Sequence, residues 1–389
     1  MRDVVVIGAG PAGAITAADL AASGHDVVLL EEHETVGEPV HCTGLIGLEA
    51  FAEFGLPASI RLGASGEARF WGAAGESVLV RSGRVHAAVI DRAGLDRWLA
   101  GRAVAAGAEL RVGARVEQIA AGDRSVQVTI RGAAEVIEAR AAVLACGANY
   151  RFHRQLGFGR PSVYLQSAQI EAPFPEVPEI QVRFGREVAP GGFAWLVPFD
   201  RAGISHARIG LMSEDRAADH FNAFVGQLVA EVGVPASTLP PPRLKVLPLG
   251  PVPRTFADRV LAVGDAAGLV KPTTGGGIYY GILSGRLAAG VLREGLGRNR
   301  LTASFLRRYE RAWRRMLGSE IRAGLRFRRL AARLDDEAID ALIDLARVNG
   351  IVPLVEAHAS FNWHGRTAMA LLAHPSFRRV VFRSWARAR

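Results

Sequence analysis

The stretch Asp3–Gly13, DVVVIGAGPAG, places a short apolar, β-branched run directly ahead of three glycines. Such a run reads as a buried strand. The alanine-rich segment after it, AITAADLAASG, reads as a helix stopped at Gly24. Between them Gly8, Gly10 and Gly13 stand in the order G-x-G-x-x-G. In a strand–turn–helix the first glycine permits the tight turn, the second lets the backbone approach a pyrophosphate, and the third lets helix and strand close on each other. The helix opens at Pro11 and Ala12, and its N-terminus offers free N–H groups beyond the proline and a positive dipole end to the phosphates. A second strand, DVVLLEE, ends at Glu31 and Glu32, at the distance where a carboxylate meets ribose hydroxyls. Three glycines at this spacing also occur in purely structural turns; the flanking strands and helix favour dinucleotide binding.

The opening superficially resembles a signal peptide, with Arg2 ahead of an apolar stretch. The early glycines and the second strand predict a folded βαβ unit instead. With 389 residues, the chain is long enough for two domains, or for one large domain with an insertion. Hydrophobic residues make up 49% and charged residues 22%, as expected of a soluble globular protein. No run of eighteen apolar residues predicts a spanning helix, and the expected location is cytoplasmic. The only cysteines, Cys42 and Cys146, exclude a disulfide framework and any four-cysteine iron–sulfur site. The net charge of +9 is almost all arginine, the lysines being Lys245 and Lys271. It suits anionic headgroups or phosphorylated substrates; no nucleic-acid motif accompanies it, so nucleic acid is not an expected partner.

The pattern predicts an α/β fold: a discontinuous Rossmann-like domain, an inserted antiparallel sheet and a helical tail. The first part of the nucleotide domain covers 1–160, with a hairpin near 60–82 and a helix over Asp91–Gly107. From 161 to 254 several β-like runs are punctuated by Pro and Gly, which predicts the inserted β-rich substrate domain. Residues 255–300 return to the nucleotide domain, and 301–389 form an arginine-rich helical region.

The second signal is Gly264–Ile278, GDAAGLVKPTTGGGI. A strand ends, Asp265 emerges at its tip, and the small residues Gly264, Ala266 and Ala267 let backbone crowd a ligand. Gly275, Gly276 and Gly277 then open a helix at Ile278 with small residues Gly281, Gly285 and Ala289 on one face. The N-terminus of that helix suits negative charge, such as that on a reduced flavin. Alone, the segment reads equally as a glycine-rich turn with close helix packing.

Together the two segments resemble the FAD-dependent oxidoreductases of the glutathione-reductase-like fold, in the group of p-hydroxybenzoate hydroxylase and the geranylgeranyl reductases. The resemblance spans about residues 1–295. It implies that Asp265 bonds the ribityl chain of FAD and that Ala266–Ala267 face the pyrophosphate. DRAGLDRWL resembles the group's helix before its third strand, with Arg92 and Asp96 at polar positions and Arg92 a cofactor contact.

Within that group, PGGFAWLVP (Pro190–Pro198) resembles the P-x-x-Y-x-W-x-F-P stretch of geranylgeranyl reductases, which lines the substrate cavity. Phe193 replaces the tyrosine and Val197 the phenylalanine, so the phenolic hydroxyl is missing. Phe193 and Trp195 are then expected to wall a lipid cavity; the plainer reading is two aromatics sharing one face of a strand. GEPVHCTGLIG (Gly37–Gly47) resembles the family's cysteine loop near the flavin at Cys42 and Gly44. Cys42 reads equally as a small buried hydrophobe or as a polarised thiol beside His41. Cys146, in LACGA, takes the place of an acid used by flavin hydroxylases and reads as a buried strand-end residue.

The resemblance implies an FAD-dependent reductase that saturates double bonds of a polyprenyl, geranylgeranyl-type lipid by hydride transfer from reduced flavin. Cys42, Phe193 and Trp195 are its candidate catalytic residues. With no second G-x-G-x-x-G, the reductant is expected to be transiently docked NAD(P)H or a small electron-carrier protein. Rival readings are a flavin monooxygenase of an aromatic or polyketide substrate and a non-catalytic prenyl-lipid carrier. A halogenase is disfavoured, since no lysine precedes Lys245. His358 and His364 lack the ligand cluster of a metal site, and no metal is expected. The run FLRRYERAWRRMLGSEIRAGLRFRRLAARL reads as a core-packing helix with a solvated face, or as a peripheral membrane contact.

Overall fold

The computed structural model describes residues 1–81, 86–133, 135–348 and 350–387. The chain forms two compact units, each assembled from three segments: Met1–Val40, Arg92–Val163 and Pro248–Ile321 in the first, and His41–Asp91, Tyr164–Leu247 and Arg322–Arg389 in the second.

The first unit is built on the strand Arg2–Ile7. It pairs in parallel with Val136–Leu144 on one side and Val27–Leu30 on the other. Val260–Ala262 and Glu109–Arg111 extend the parallel sheet outward, and Val126–Ile130 adds an antiparallel extension. Val4–Val6 and Val27–Val28 are fully buried, as strands covered on both faces require. The helices Pro11–Ala21 and Ile278–Gly297 pack on each other through small residues. An added Cβ at Gly285 would lie 2.5 Å from the Ala12 carbonyl oxygen, so the backbones meet without side chains between them.

In the second unit a seven-stranded sheet runs in the order Arg243–Pro248, Tyr164–Pro173, Ile204–Ser213, Phe193–Arg201, Ile180–Arg183, Glu67–Trp71, Ser77–Arg81. The helix Ala217–Val232 covers one face, burying Phe221, Phe224 and Leu228 against Ile170, Leu196 and Ile209. A smaller sheet joins Leu45–Gly47, Ala87–Ile90 and Arg61–Ser65.

Two boundaries differ from the sequence expectation. Residues 41–91 belong with the inserted sheet, because Glu67–Trp71 pairs in parallel with Ile180–Arg183, Ala68 opposite Ile180. The hairpin expected near 60–82 is therefore the edge of that sheet. The helical region 301–389 is also divided, at Ile321. Its first helix, Ala303–Ala331, buries Leu306, Tyr309, Trp313 and Leu317. Tyr309 donates to the Ala262 carbonyl at 2.9 Å and Trp313 Nε1 to Thr255 Oγ1 at 3.0 Å, which ties this part to the first unit. Among the described residues no helix is long and apolar enough to cross a membrane.

Candidate functional site

Gly8 has φ +106°, and its N–H donates to the Leu30 carbonyl at 2.7 Å. A side chain there would strike Ala145, and one at Gly13 would strike the Gly8 carbonyl. Around Gly10, by contrast, an added Cβ would meet nothing within 4 Å. Gly8 and Gly13 thus serve the turn and the packing. The open space over Gly10, at the start of a helix with Pro11 in its first turn, is a cradle for an anionic group.

Glu31 stands beside this turn. Its Oε2 accepts the Ala9 N–H at 3.0 Å, and its Oε1 accepts the His33 N–H at 3.1 Å and faces His33 Nδ1 at 2.6 Å. The carboxylate is therefore fixed at the strand end. Glu32 is exposed and faces Arg115 Nε at 3.7 Å, a surface ion pair apart from the turn's hydrogen bonds. Arg92 starts the helix Arg92–Ala105 and is ion-paired with Asp96 one turn on, both largely buried.

The second glycine segment folds against the first. An added Cβ at Gly264 would come within 2.9 Å of the Ala12 Cβ and 3.7 Å of the Gly281 Cα. Gly264–Ala267 form one short helical turn, its first N–H donating to Ser284 Oγ at 3.0 Å. Asp265 is half-buried, and an added Cβ at Gly277 would lie 2.5 Å from its Oδ1. Gly275 has φ +70° and donates to the Lys271 carbonyl at 2.8 Å, which closes the turn before the helix starting at Ile278. The first unit therefore brings together Gly8–Gly13, Glu31 and Gly264–Ile278 near the C-terminal ends of its parallel strands, where α/β sheets hold ligands.

Two residues that no sequence motif singles out support this turn. Tyr150 donates its hydroxyl to the Asp265 carbonyl at 2.7 Å, and His153 Nε2 lies 2.6 Å from the Ala266 carbonyl. Burial lowers the His153 pKa, only partly opposed by that hydrogen bond, so the ring is neutral and donates through Nε2. Their signal was the cluster of aromatic residues and histidine just past the strand end at Leu144. Cys146 donates its thiol to the Asn149 carbonyl at 3.3 Å; burial of the sulfur pushes its pKa up to about 12, so at neutral pH it is an unreactive thiol.

Cys42, Phe193 and Trp195 all lie in the second unit. Phe193 and Trp195 meet edge to face at 5.8 Å, Phe184 meets Phe193 at 6.0 Å, and Phe70 stacks on Phe184 at 6.5 Å. The result is a ladder of aromatic rings running from the strand Phe193–Arg201, past Phe184 at the end of Ile180–Arg183, to the strand Glu67–Trp71. Trp195 is buried over Gly210, and its Nε1–H finds no acceptor among the described residues. An indole N–H left dry in this way costs free energy. The half-buried Cys42 accepts the Gly44 N–H at its Sγ at 3.3 Å. Its loop is pinned by the buried Arg208, whose Nη1 donates to the Thr43 carbonyl at 2.7 Å and the Ile90 carbonyl at 3.0 Å. Arg208 Nε in turn bonds Glu171 at 2.7 Å. His358 and His364 each bond a carbonyl of their own chain segment, Leu354 and Phe361.

The glycine-lined cradle, the helix N-terminus and two acidic side chains match the donors and acceptors of a dinucleotide such as FAD. A family model described as "FAD binding domain" matches residues 1–314. The chain is 31% identical over 359 residues to the digeranylgeranylglycerophospholipid reductase of Methanocaldococcus jannaschii, covering 88% of this chain and 90% of that one. It superposes with a TM-score of 0.84 on a geranylgeranyl bacteriochlorophyll reductase-like protein of Thermoplasma acidophilum, at 21% identity over 99% of this chain and 98% of the other. The halogenase PltM, solved with phloroglucinol and FAD, shares the fold at a TM-score of 0.67 and 16% identity, covering 100% of this chain and 93% of the other.

Proposed function

The chain belongs to the geranylgeranyl reductase family of FAD-dependent oxidoreductases, and from that premise we propose that it saturates carbon–carbon double bonds in a polyprenyl lipid. The observation that carries this reading is the aromatic ladder ending in Trp195, an apolar wall with one dry N–H, in a chain similar to prenyl-lipid reductases.

An isolated alkene is a poor electrophile, and no side chain reduces one. Reduced FAD, when bound, supplies the hydride. The residues have separate tasks in this reading. Gly10 and the helix N-terminus at Pro11, in the turn shaped by Gly8 and Gly13, take the pyrophosphate together with Ala266–Ala267, Glu31 takes the ribose, and Asp265 the ribityl chain. Gly275–Ile278 present a helix N-terminus to the charge that reduction creates. Phe193 and Trp195 hold the prenyl chain and keep water from it. Cys42 gives the proton that accompanies the hydride, its Sγ being reprotonated from solvent. The alkene gains one hydride and one proton, and the two electrons are restored by NAD(P)H or a small electron-carrier protein.

The test is mass spectrometry of a panel of polyprenyl lipids after anaerobic incubation with the chemically reduced protein. Stepwise gains of two hydrogens are expected. An unchanged panel, with the flavin still rapidly reoxidised in air, would sink the reading in favour of oxygen chemistry.

A further inference from the structure

The structure carries a charge segregation that the reductase reading does not use. Between Ala357 and Arg387 the chain has no aspartate or glutamate, while arginine recurs at 366, 378, 379, 383 and 387. Most of these residues lie on two packed helices of the second unit, Gly365–Ala373 and Pro375–Arg387. The inward face of the second helix is made by Phe377, Val381 and Ser384, which are buried, the first two packing with Phe327 and Ile351. Its outward face is Pro375, Arg378, Arg379, Phe382, Arg383 and Ala386, all exposed. Phe382 is 57% exposed among three arginines. The neighbouring helix repeats the pattern, with Arg366 exposed one turn from Met369, itself 56% exposed.

Three acids of the adjoining helix Asp336–Val348 have partners away from this face. Asp336 accepts the Arg186 N–H at 2.8 Å, Asp340 accepts the Ala74 N–H at 3.1 Å, and Asp344 faces Arg347 at 3.8 Å. The helix Ala303–Ala331 buries Tyr309, Trp313 and Leu317.

We propose that the face formed by Arg378, Arg379, Phe382 and Arg383, continued by Arg366 and Met369, docks on an anionic lipid surface. Guanidiniums held outward attract lipid phosphates, and an exposed aromatic between them enters the acyl boundary, as in basic amphipathic helices that lie in the interface plane. A purely electrostatic partner such as duplex nucleic acid would have no use for Phe382 at the centre of the face.

The experiment is flotation of the full-length holoprotein with phosphatidylcholine vesicles and with vesicles containing phosphatidylglycerol. Binding to the anionic vesicles only is expected. The variant R378Q/R379Q/R383Q should lower that partition at least about tenfold. Phe382→Ala should lower it several-fold, with the larger loss at high salt, where insertion rather than charge holds the protein. These residues are exposed, and circular dichroism with FAD content checks that each variant is folded. Equal binding to both vesicle types would overturn the proposal, as would unchanged binding of the triple variant. Retention on duplex DNA that is insensitive to Phe382→Ala, with no vesicle binding, would also overturn it. The readout does not depend on turnover, so it stands or falls separately from the reductase reading.

Discussion

The guanidinium of Arg208 fills the space that a side chain at residue 44 would need. Gly44 has φ +65°, and an added Cβ would strike Arg208 Nη1 and lie 2.8 Å from the Ile90 carbonyl oxygen. The arginine and the glycine are one device: the missing side chain admits the guanidinium, and its hydrogen bonds to Thr43 and Ile90 fix the loop that carries Cys42. Gly44→Ala should therefore destabilise the protein by about 2–3 kcal/mol, combining left-handed backbone strain with a displaced buried charge. Urea unfolding measures this; a loss within a few tenths of a kcal/mol would show that the loop gives way freely.

The glycine turn makes a second contrast. Gly8→Ala places a methyl group against Ala145 and should impair folding together with FAD retention. At Gly10 the space is open, so Gly10→Val should fold normally and weaken FAD binding by at least about tenfold, through loss of the phosphate cradle. The ratio of flavin to protein absorbance, read beside the thermal midpoint, separates the two.

Trp195→Phe keeps an aromatic ring but removes an N–H with no acceptor. Stability should stay level or rise by about 1 kcal/mol, because a dry donor is deleted. Turnover of a prenyl substrate should fall at the same time. Thermal denaturation and steady-state rates on the same preparation test the pair of outcomes; a clear stability loss would mean that the N–H is satisfied within the protein.

The buried thiol of Cys146 makes stability depend on pH at the alkaline end. Burial raises the Cys146 pKa from 9.0 to about 12, so above pH 9 an unfolded chain releases a proton that the folded chain keeps. Fewer protons bound in the unfolded state means that stability declines as pH rises from about 9 to 12. Cys146→Ala should flatten the decline between pH 8 and 10 in chemical denaturation. Equal slopes would place the Cys146 sulfur in solvent.

The glycine turns were legible in the sequence because their constraints are local: Gly8, Gly13 and Gly264 answer to a strand end or helix start adjacent to them. The aromatic pair was legible too, since residues two apart on a strand share a face and Phe193 meets Trp195. Arg208 was not. It sits in a strand of small and apolar residues, and its partner Thr43 is 165 positions away, so no periodicity announces the contact. The same holds for residues 41–91, assigned by a parallel pairing with strand Ile180–Arg183 that is invisible locally. On the helix Ala303–Ala331, Leu317 is buried while its neighbour Met316 is 43% exposed, so which apolar residue faces inward is set by the packing.

The division of the first unit into three segments sets a schedule for synthesis. Its cradle starts at Gly8, but the turn that completes it ends at Ile278, and the helix that closes behind it packs as far as Ile321. A ribosome must therefore deliver most of the chain before any of it can retain a flavin. Until then Val136–Leu144, the strand paired with Arg2–Ile7, lacks its other neighbour Val260–Ala262, so cofactor loading is one of the last events in the making of this protein rather than a seed for its folding.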